Sequence, residues 1–331
     1  MSPSVFVAQP LQAEKNPNNP NPKYPIERRK RKHYTMSKTD SVMLTGATGL
    51  LGQEMVRVLT SKYPELKVKV LIHEETEEKA DLVFANLKVE KVRSRPGLEE
   101  DAASFQGVYS LFIIPPPVES RVEIVRHILL AAKKAGVKFV MTPAHLSVRE
   151  KDTVLARSFK EIENEIKRTD IPHCFLHSEL FMDFILSHGD QIKAVNPIFS
   201  CCIDPDARYN PVAARDLAEV ASNILLRPGD HEDTRYTITG PTPLSMTDMA
   251  GVLSKTLGRE VKYVREKPEI CIAQKIRKGR NSWLAKAMVE AEQNITSETE
   301  EYTSGDLNKL LDREPISFER FIQEHKEAFV V

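Results

Sequence analysis

The sequence predicts an α/β fold: a Rossmann-like doubly wound parallel sheet with a smaller C-terminal α/β lobe. Three observations point to it. Short apolar runs alternate with amphipathic helical stretches between residues 42 and 176, the rhythm of repeated βα units. Gly46, Gly49 and Gly52 follow the first run at once and open a helical stretch. From about residue 196 the rhythm loosens, as expected where a second, smaller lobe begins.

Residues 42–45 read as the first strand, and 52–61 as a helix with Met55, Val56 and Leu59 at helical spacing. Strand 68–72, helix 77–86 and strand 89–92 follow. The fourth strand, 108–114, is stopped by Pro115-Pro116-Pro117, since proline cannot donate to a ladder. A long amphipathic helix, 119–135, ends at Gly136, a usual C-terminal stop. Strand 137–141, helix 153–168 with Asp152 and Thr153 as candidate caps, and strand 173–176 complete the regular part. Beyond it come helix 212–226, strand 235–239, helix 245–257 with a capping box of Ser245 and Asp248, strand 261–264, and helices 282–293 and 318–328. Three segments result: a tail over 1–39, a dinucleotide-binding domain over 40–195, and a substrate or partner lobe over 196–331. Helix 212–226 is an element of that lobe that can pack back on the dinucleotide-binding domain.

Composition excludes several classes. The 331 residues carry 47 Lys+Arg against 47 Asp+Glu, so the folded body lacks the positive surplus that nucleic acid demands. No apolar run approaches the ~20 residues of a membrane span, and mean hydropathy is -0.36. Cys174, Cys201, Cys202 and Cys271 form no Cys-x-x-Cys pair, which argues against a thiolate metal site and for a reducing, cytoplasmic setting. The tail is rich in Pro and Asn and is expected to stay disordered. Its run Arg28-Arg29-Lys30-Arg31-Lys32 is either a solvated stretch or a nuclear-import signal. No apolar segment of a secretory signal follows it, and Met36 offers a second start just before the first strand.

The chemistry-bearing motif is Thr45-Gly46-Ala47-Thr48-Gly49-Leu50-Leu51-Gly52. Gly46 permits a tight turn, Gly49 lets the backbone approach a pyrophosphate, and Gly52 lets the helix pack closely on the strand. Unpaired amides at the helix start, aligned with its dipole, then favour a diphosphate. Strand, turn and helix occur in the order that this use of glycine requires.

Several segments then coincide with one family. The Thr-Gly-Ala-Thr-Gly loop, Ile113-Ile114-Pro115-Pro116, the stretch Ala131 to Lys138, Ile171-Pro172, Phe181-Met182 and Arg215-Asp216-Leu217-Ala218 occur in its order, as do Thr239-Gly240-Pro241, Leu257-Gly258-Arg259 and Ser317-Phe318-Glu319. Over residues 41–329 the chain resembles the NmrA-like branch of the atypical short-chain dehydrogenase/reductases. The resemblance implies NAD(P) bound by Gly46 to Gly52, with NADP(H) preferred by a small margin. It also implies a cleft between the lobes in which His73, Ile114, Pro115, Thr142 and the 179–182 loop meet cofactor or substrate. Family members either reduce small organic acceptors such as quinones and imines or bind the dinucleotide without turnover and report to a protein partner. Both readings stay open here.

The chain departs from the superfamily at its acid–base helix. Leu155 stands in the slot of the usual Tyr and Phe159 in that of the Lys, and neither transfers a proton. Lys160 is one residue off, about 100° around the helix, and Thr142 offers a hydroxyl near the end of the fifth strand; these are the weak catalytic candidates. The NAD/NADP signals conflict. His73 is followed by Glu74, Glu75, Glu77 and Glu78, which repel a ribose phosphate, while Arg93 and Arg95 oppose that charge. His173 and His177, on a strand, lie roughly 13 Å apart and cannot share a metal ion. Cys201 and Cys202 point to opposite faces of a strand, Trp283 reads as packing, and His145 falls just past the fifth strand, toward the cleft.

Overall fold

The computed structural model describes residues 40–94, 102–145, 152–295 and 303–330. The basic run Arg28 to Lys32, Met36 and Arg95 lie outside the described residues. The strands are β1 (Ser41–Leu44), β2 (Lys67–His73), β3 (Val89–Ser94), β4 (Val108–Phe112), β5 (Phe139–His145), β6 (His173–Ser178), β7 (Ile198–Cys201), β8 (Thr234–Ile238) and β9 (Lys262–Arg265). The helices are α1 (Leu50–Lys62), α2 (Glu77–Val83), α3 (Arg121–Ala135), α4 (Val154–Arg168), α5 (Gly189–Lys193), α6 (Ala214–Leu226), α7 (Met246–Leu257), α8 (Pro268–Arg277), α9 (Ser282–Gln293), α10 (Asp306–Leu310) and α11 (Phe318–Glu324). Seven strands form one parallel sheet in the order β3-β2-β1-β4-β5-β6-β8, and β7 pairs with β9 apart from it.

Every residue of β1 is buried, because both faces of the sheet are covered. Successive side chains alternate between two cores. Val42 and Leu44 join Met55, Val56 and Leu59 of α1 and Leu217, Ala221 and Ile224 of α6. Met43 joins Val125, Ile128 and Leu129 of α3 and Ile162 and Ile166 of α4 on the other face. Each such aliphatic side chain, fully buried, is worth about 1.5–3 kcal/mol. Helix ends follow the sequence signals. Thr153 Oγ1 accepts from the Ala156 amide at 3.1 Å, Ser245 and Asp248 close a reciprocal box at 3.0 and 2.9 Å, and Gly136 ends α3 at φ +81°.

The departures are local in most cases. The expected helix 77–86 is a short α2 entered through a 3₁₀ turn at Glu74–Thr76. Residue 137 belongs to the α3 exit, its amide bonded to Ala132 O, so β5 begins at Phe139 and runs on to His145. The last expected helix breaks after Glu324 into a 3₁₀ turn. The larger departure is β8, which joins the main sheet as its seventh strand beside β6. A third core holds Met182, Ile185 and Ile192 together with Phe199, Met249, Leu253, Phe321 and Phe329. The chain thus threads between sheet and lobe on both sides of residue 195.

Candidate functional site

In the strand order, direction of chain progress reverses between β1 and β4, and ligands of open parallel sheets bind outside the carboxyl ends at that point. The glycine loop leaves β1 there, and Ile114-Pro115 leaves β4 beside it. Thr45 ties the two exits together. Its amide donates to Phe112 O at 3.0 Å, its hydroxyl to Ile114 O at 3.1 Å, and the Ile114 amide donates to Thr45 Oγ1 at 3.0 Å.

The glycines do three separate things. Gly46 has φ +61°, and a Cβ there would stand 2.9 Å from Ile114 Cβ. Gly52 lies under the loop, where a Cβ would meet Ala47 Cα at 2.5 Å and come nearer still to the Gly46 carbonyl. Gly49 is exposed and begins α1, with its amide bonded to Gly46 O at 3.0 Å and its carbonyl receiving Gln53 N at 2.9 Å. No side chain caps α1, and its first turn carries no carboxylate. A helix start built this way leaves amides directed outward for an anion. Ala47 and Leu51 are buried beneath the loop, whereas Thr48 is half-buried and Leu50 is 47% exposed.

At the end of β2, His73 is half-buried, and its Nδ1 is enclosed without a hydrogen-bond partner among the described residues. Thr76 closes the turn after it, with its hydroxyl on His73 O at 3.0 Å. Arg93 is engaged with Glu77 through Nε at 2.9 Å, so one of the four carboxylates is already neutralised.

The weak catalytic candidates are not brought together. Thr142 is wholly buried and donates to Ile113 O at 2.8 Å. Lys160 is exposed on α4, with Leu155 and Phe159 half-buried on the same helix. The 179–182 loop is stitched to the lobe: Glu179 Oε2 accepts from the Asn210 amide at 2.7 Å, and the Met182 amide donates to Val212 O at 2.9 Å. Asp183, unremarked in the sequence, accepts the Ala214 amide at the start of α6, and burial raises its pKa. It lines a polar cavity of about 280 Å³ with Glu54, Arg215, Glu324 and His325.

The strand histidines have ordinary partners. His173 Nδ1 lies 3.0 Å from Ile171 O, and His177 Nε2 lies 2.5 Å from Glu163 Oε1 inside the protein. Cys201 and Cys202 enter different clusters, and the four cysteines are free. Trp283 lies half-buried on α9. The His145 side chain lies outside the described residues. No group of three His, Cys, Asp or Glu is placed to hold a metal ion among the described residues, and no described helix is long and apolar enough to cross a membrane.

Comparison with known proteins places this geometry in context. The model of the NmrA-like family matches residues 38–322. The NAD(P)H azoreductase of Xenophilus azovorans is 28% identical over 296 residues, spanning 87% of this chain and 99% of that protein. The Citrobacter sp. triphenylmethane reductase, solved with NADP(H), superposes with a TM-score of 0.73 at 24% identity, covering 86% of this chain and 99% of the other. An Escherichia coli NADPH-dependent quinone oxidoreductase, solved with NADPH, gives 0.74 at 22% identity over the same shares.

Proposed function

This chain belongs to the NmrA-like family, and we propose that it is an NAD(P)H-dependent oxidoreductase acting on a small organic acceptor of the quinone or imine type. The observation that carries the reading is the glycine cradle. Side chains are excluded at Gly46 and Gly52, Gly49 lies open, and the uncapped helix start faces the switch point. Gly46 to Gly52 would hold the pyrophosphate, Ile114 and Pro115 would wall the cofactor on the β4 side, and His73, with its enclosed unpartnered nitrogen, would meet the adenosine ribose. NADP(H) is the preferred form in this reading, supported by the cofactors of the two reductase structures. Thr142 acts from behind, fixing the Ile113 carbonyl.

A bound reduced nicotinamide supplies a hydride. The protein's part is to hold, orient and shield, because α4 presents Leu155 and Phe159 where a proton donor would stand. An acceptor that takes hydride at an electron-poor centre and collects its proton from water suits such a site; an alcohol–ketone pair does not. That same absence of a donor favours a second reading, a dinucleotide-binding regulator that reports to a protein partner. A cytoplasmic location belongs to the proposal, supported by four free cysteines as a reducing compartment keeps them; nuclear entry would depend on Arg28 to Lys32.

One experiment decides. The purified chain is titrated calorimetrically with NADPH, NADH and their oxidised forms, and absorbance at the nicotinamide band is then followed with a panel of quinones. Oxidation of the reduced cofactor in the presence of quinone is expected. Tight binding without any oxidation would replace the reductase by the regulator. Gly49→Val, at an exposed position where the added Cβ would lie 3.3 Å from Gly46 O, should fold and lose dinucleotide affinity; retained affinity would remove the cradle from the argument.

A further inference from the structure

Arg121, the first residue of α3, is 4% exposed. Glu163 and Asp216 are buried as deeply, and each has a charged partner: His177 and Arg235 for the first, Arg313 for the second. Arg121 has none among the described residues. Its Nε is enclosed without a hydrogen-bond acceptor, and desolvation alone acts on the guanidinium, lowering its pKa to about 10. Among the described residues its charge meets only the face of Phe159, 4.4 Å from the guanidinium carbon. A ring face returns part of what desolvation costs a cation, not all of it. The helix makes matters worse, because the start of α3 is the positive end of its dipole. Packing alone would be better served by an uncharged side chain at this position.

The place of this cation gives it a use. The segment 113–120 leaves the carboxyl end of β4 beside the glycine loop and leads directly into α3. Phe159 belongs to α4, which starts from the same edge of the sheet after β5 and packs against α3. The guanidinium therefore sits at the start of α3 and against the second turn of α4, two helices that begin on the side of the sheet where ligands of parallel folds bind. A guanidinium whose carbon lies over a ring still has N–H donors to offer, and such donors pair with a planar or tetrahedral oxyanion.

We propose that Arg121 is an oxyanion-binding residue, which pairs with an anionic group of a molecule bound at the carboxyl edge of the sheet. The oxyanion is either a carboxylate or sulfonate on the acceptor or a phosphate of the dinucleotide. Phe159 positions the guanidinium, so the residue in the slot of the missing lysine keeps a part in binding. The acceptor source rests on the reductase reading; the binding itself does not.

The test uses the full chain and two neutral variants, Arg121→Met and Arg121→Gln. Thermal unfolding is measured with and without benzenesulfonate, NADPH affinity by calorimetry, and kcat and KM with naphthoquinone and its sulfonate as a matched pair. Removing an unpartnered cation should leave the melting temperature unchanged or higher. Loss of a charged hydrogen bond should weaken the bound anion about tenfold or more. If the acceptor supplies the anion, KM rises for the sulfonate alone, and the stabilisation by benzenesulfonate disappears. If the dinucleotide supplies it, NADPH affinity falls, and both quinones respond alike. Unchanged NADPH affinity, benzenesulfonate response and quinone selectivity in whichever variant folds would overturn the proposal, as would a wild-type chain that binds neither benzenesulfonate nor NADPH. A wild-type chain that fails to oxidise NADPH whichever quinone is added sinks the reductase reading only, since the two binding measurements still decide the role of Arg121.

Discussion

Gly52→Ala tests the cradle at the point where it is most constrained. In a helix this exchange normally stabilises by about 0.5–1 kcal/mol, because alanine loses less backbone freedom on folding. Gly251 on α7 provides the reference, since nothing lies within 4 Å of the Cβ it would gain. At Gly52 the same methyl meets Ala47 Cα at 2.5 Å, and relief to 3.0 Å requires the helix start to retreat by about half an ångström. Such overpacking costs typically 1–3 kcal/mol. Gly251→Ala should therefore raise the unfolding free energy, Gly52→Ala should lower it by about 1–2 kcal/mol net, and the two should differ by about 2 kcal/mol or more. The retreat also moves the α1 amides, and a displacement of that size should weaken dinucleotide binding about tenfold. Urea unfolding of both variants and calorimetry with NADPH check the two halves. A Gly52→Ala protein as stable as Gly251→Ala, with wild-type affinity, would falsify the claim that helix and loop are held in contact here.

Three further outcomes follow from contacts inside the fold. Thr142→Val leaves the Ile113 carbonyl without its buried donor and should cost about 1–2 kcal/mol; the pH dependence of turnover should keep its shape, and a lost limb would return the hydroxyl to the chemistry. Burial pushes the Glu163 pKa up, but the His177 hydrogen bond and the charges of His177, Arg235 and Lys167 outweigh it and hold the carboxyl below its ordinary value of 4.5. A carboxylate depressed by folding contributes stability above its unfolded value and loses it as pH falls through the folded one. Acidification below about pH 4.5 should then lower the melting temperature by a margin that Glu163→Gln removes, with a neutral-pH cost of about 3 kcal/mol for the broken buried pair; an unchanged acid limb in the variant counts against this. Asp216→Ala frees Arg313 Nη2 and the Ile316 amide, held at 2.7 and 2.8 Å, and should cost about 2–4 kcal/mol. Faster proteolysis near residues 311–316 is its signature.

The cradle was legible in the sequence because its demands fall on the backbone. A positive φ at Gly46 and a forbidden Cβ at Gly52 leave only glycine as an answer, so spacing alone reveals them. Caps were legible for a similar reason: Ser245, Asp248 and Thr153 satisfy amides that lie three residues away. What escaped depends on distant partners. The 234–238 strand pairs with β6, more than fifty residues earlier, and no local signal says that it joins the main sheet. Helix α8 buries only Cys271 and exposes Ile270 and Ile276, so it lacks the apolar stripe that marks a helix. Asp183 and Asp216 carry no local signal of their roles, because the amides that they accept, those of Ala214 and Ile316, lie far along the chain. Nothing in the sequence around Arg121 marks it as enclosed; its burial comes with the packing of α3 beside α4, where it meets Phe159.

The same distinction bears on how such a site selects its ligands. In the proposed site, cofactor binding would rest on backbone amides and absent side chains, which recognise phosphate and are indifferent to what the hydride later meets. Acid–base specificity, usually the next filter, finds no support in the candidates among the described residues, for Lys160 is exposed and Thr142 is committed to a carbonyl. Discrimination among acceptors then falls to shape and charge at the edge of the sheet. In the proposed role of Arg121, an enclosed guanidinium with no carboxylate partner among the described residues supplies charge there at a cost that binding of an anion can return. A chain of this design should tolerate many electron-poor acceptors and rank them by their anionic substituents more than by their need for a proton. A series of neutral, carboxylated and sulfonated quinones of matched reduction potential measures that ranking directly, and an order set by proton demand would contradict it.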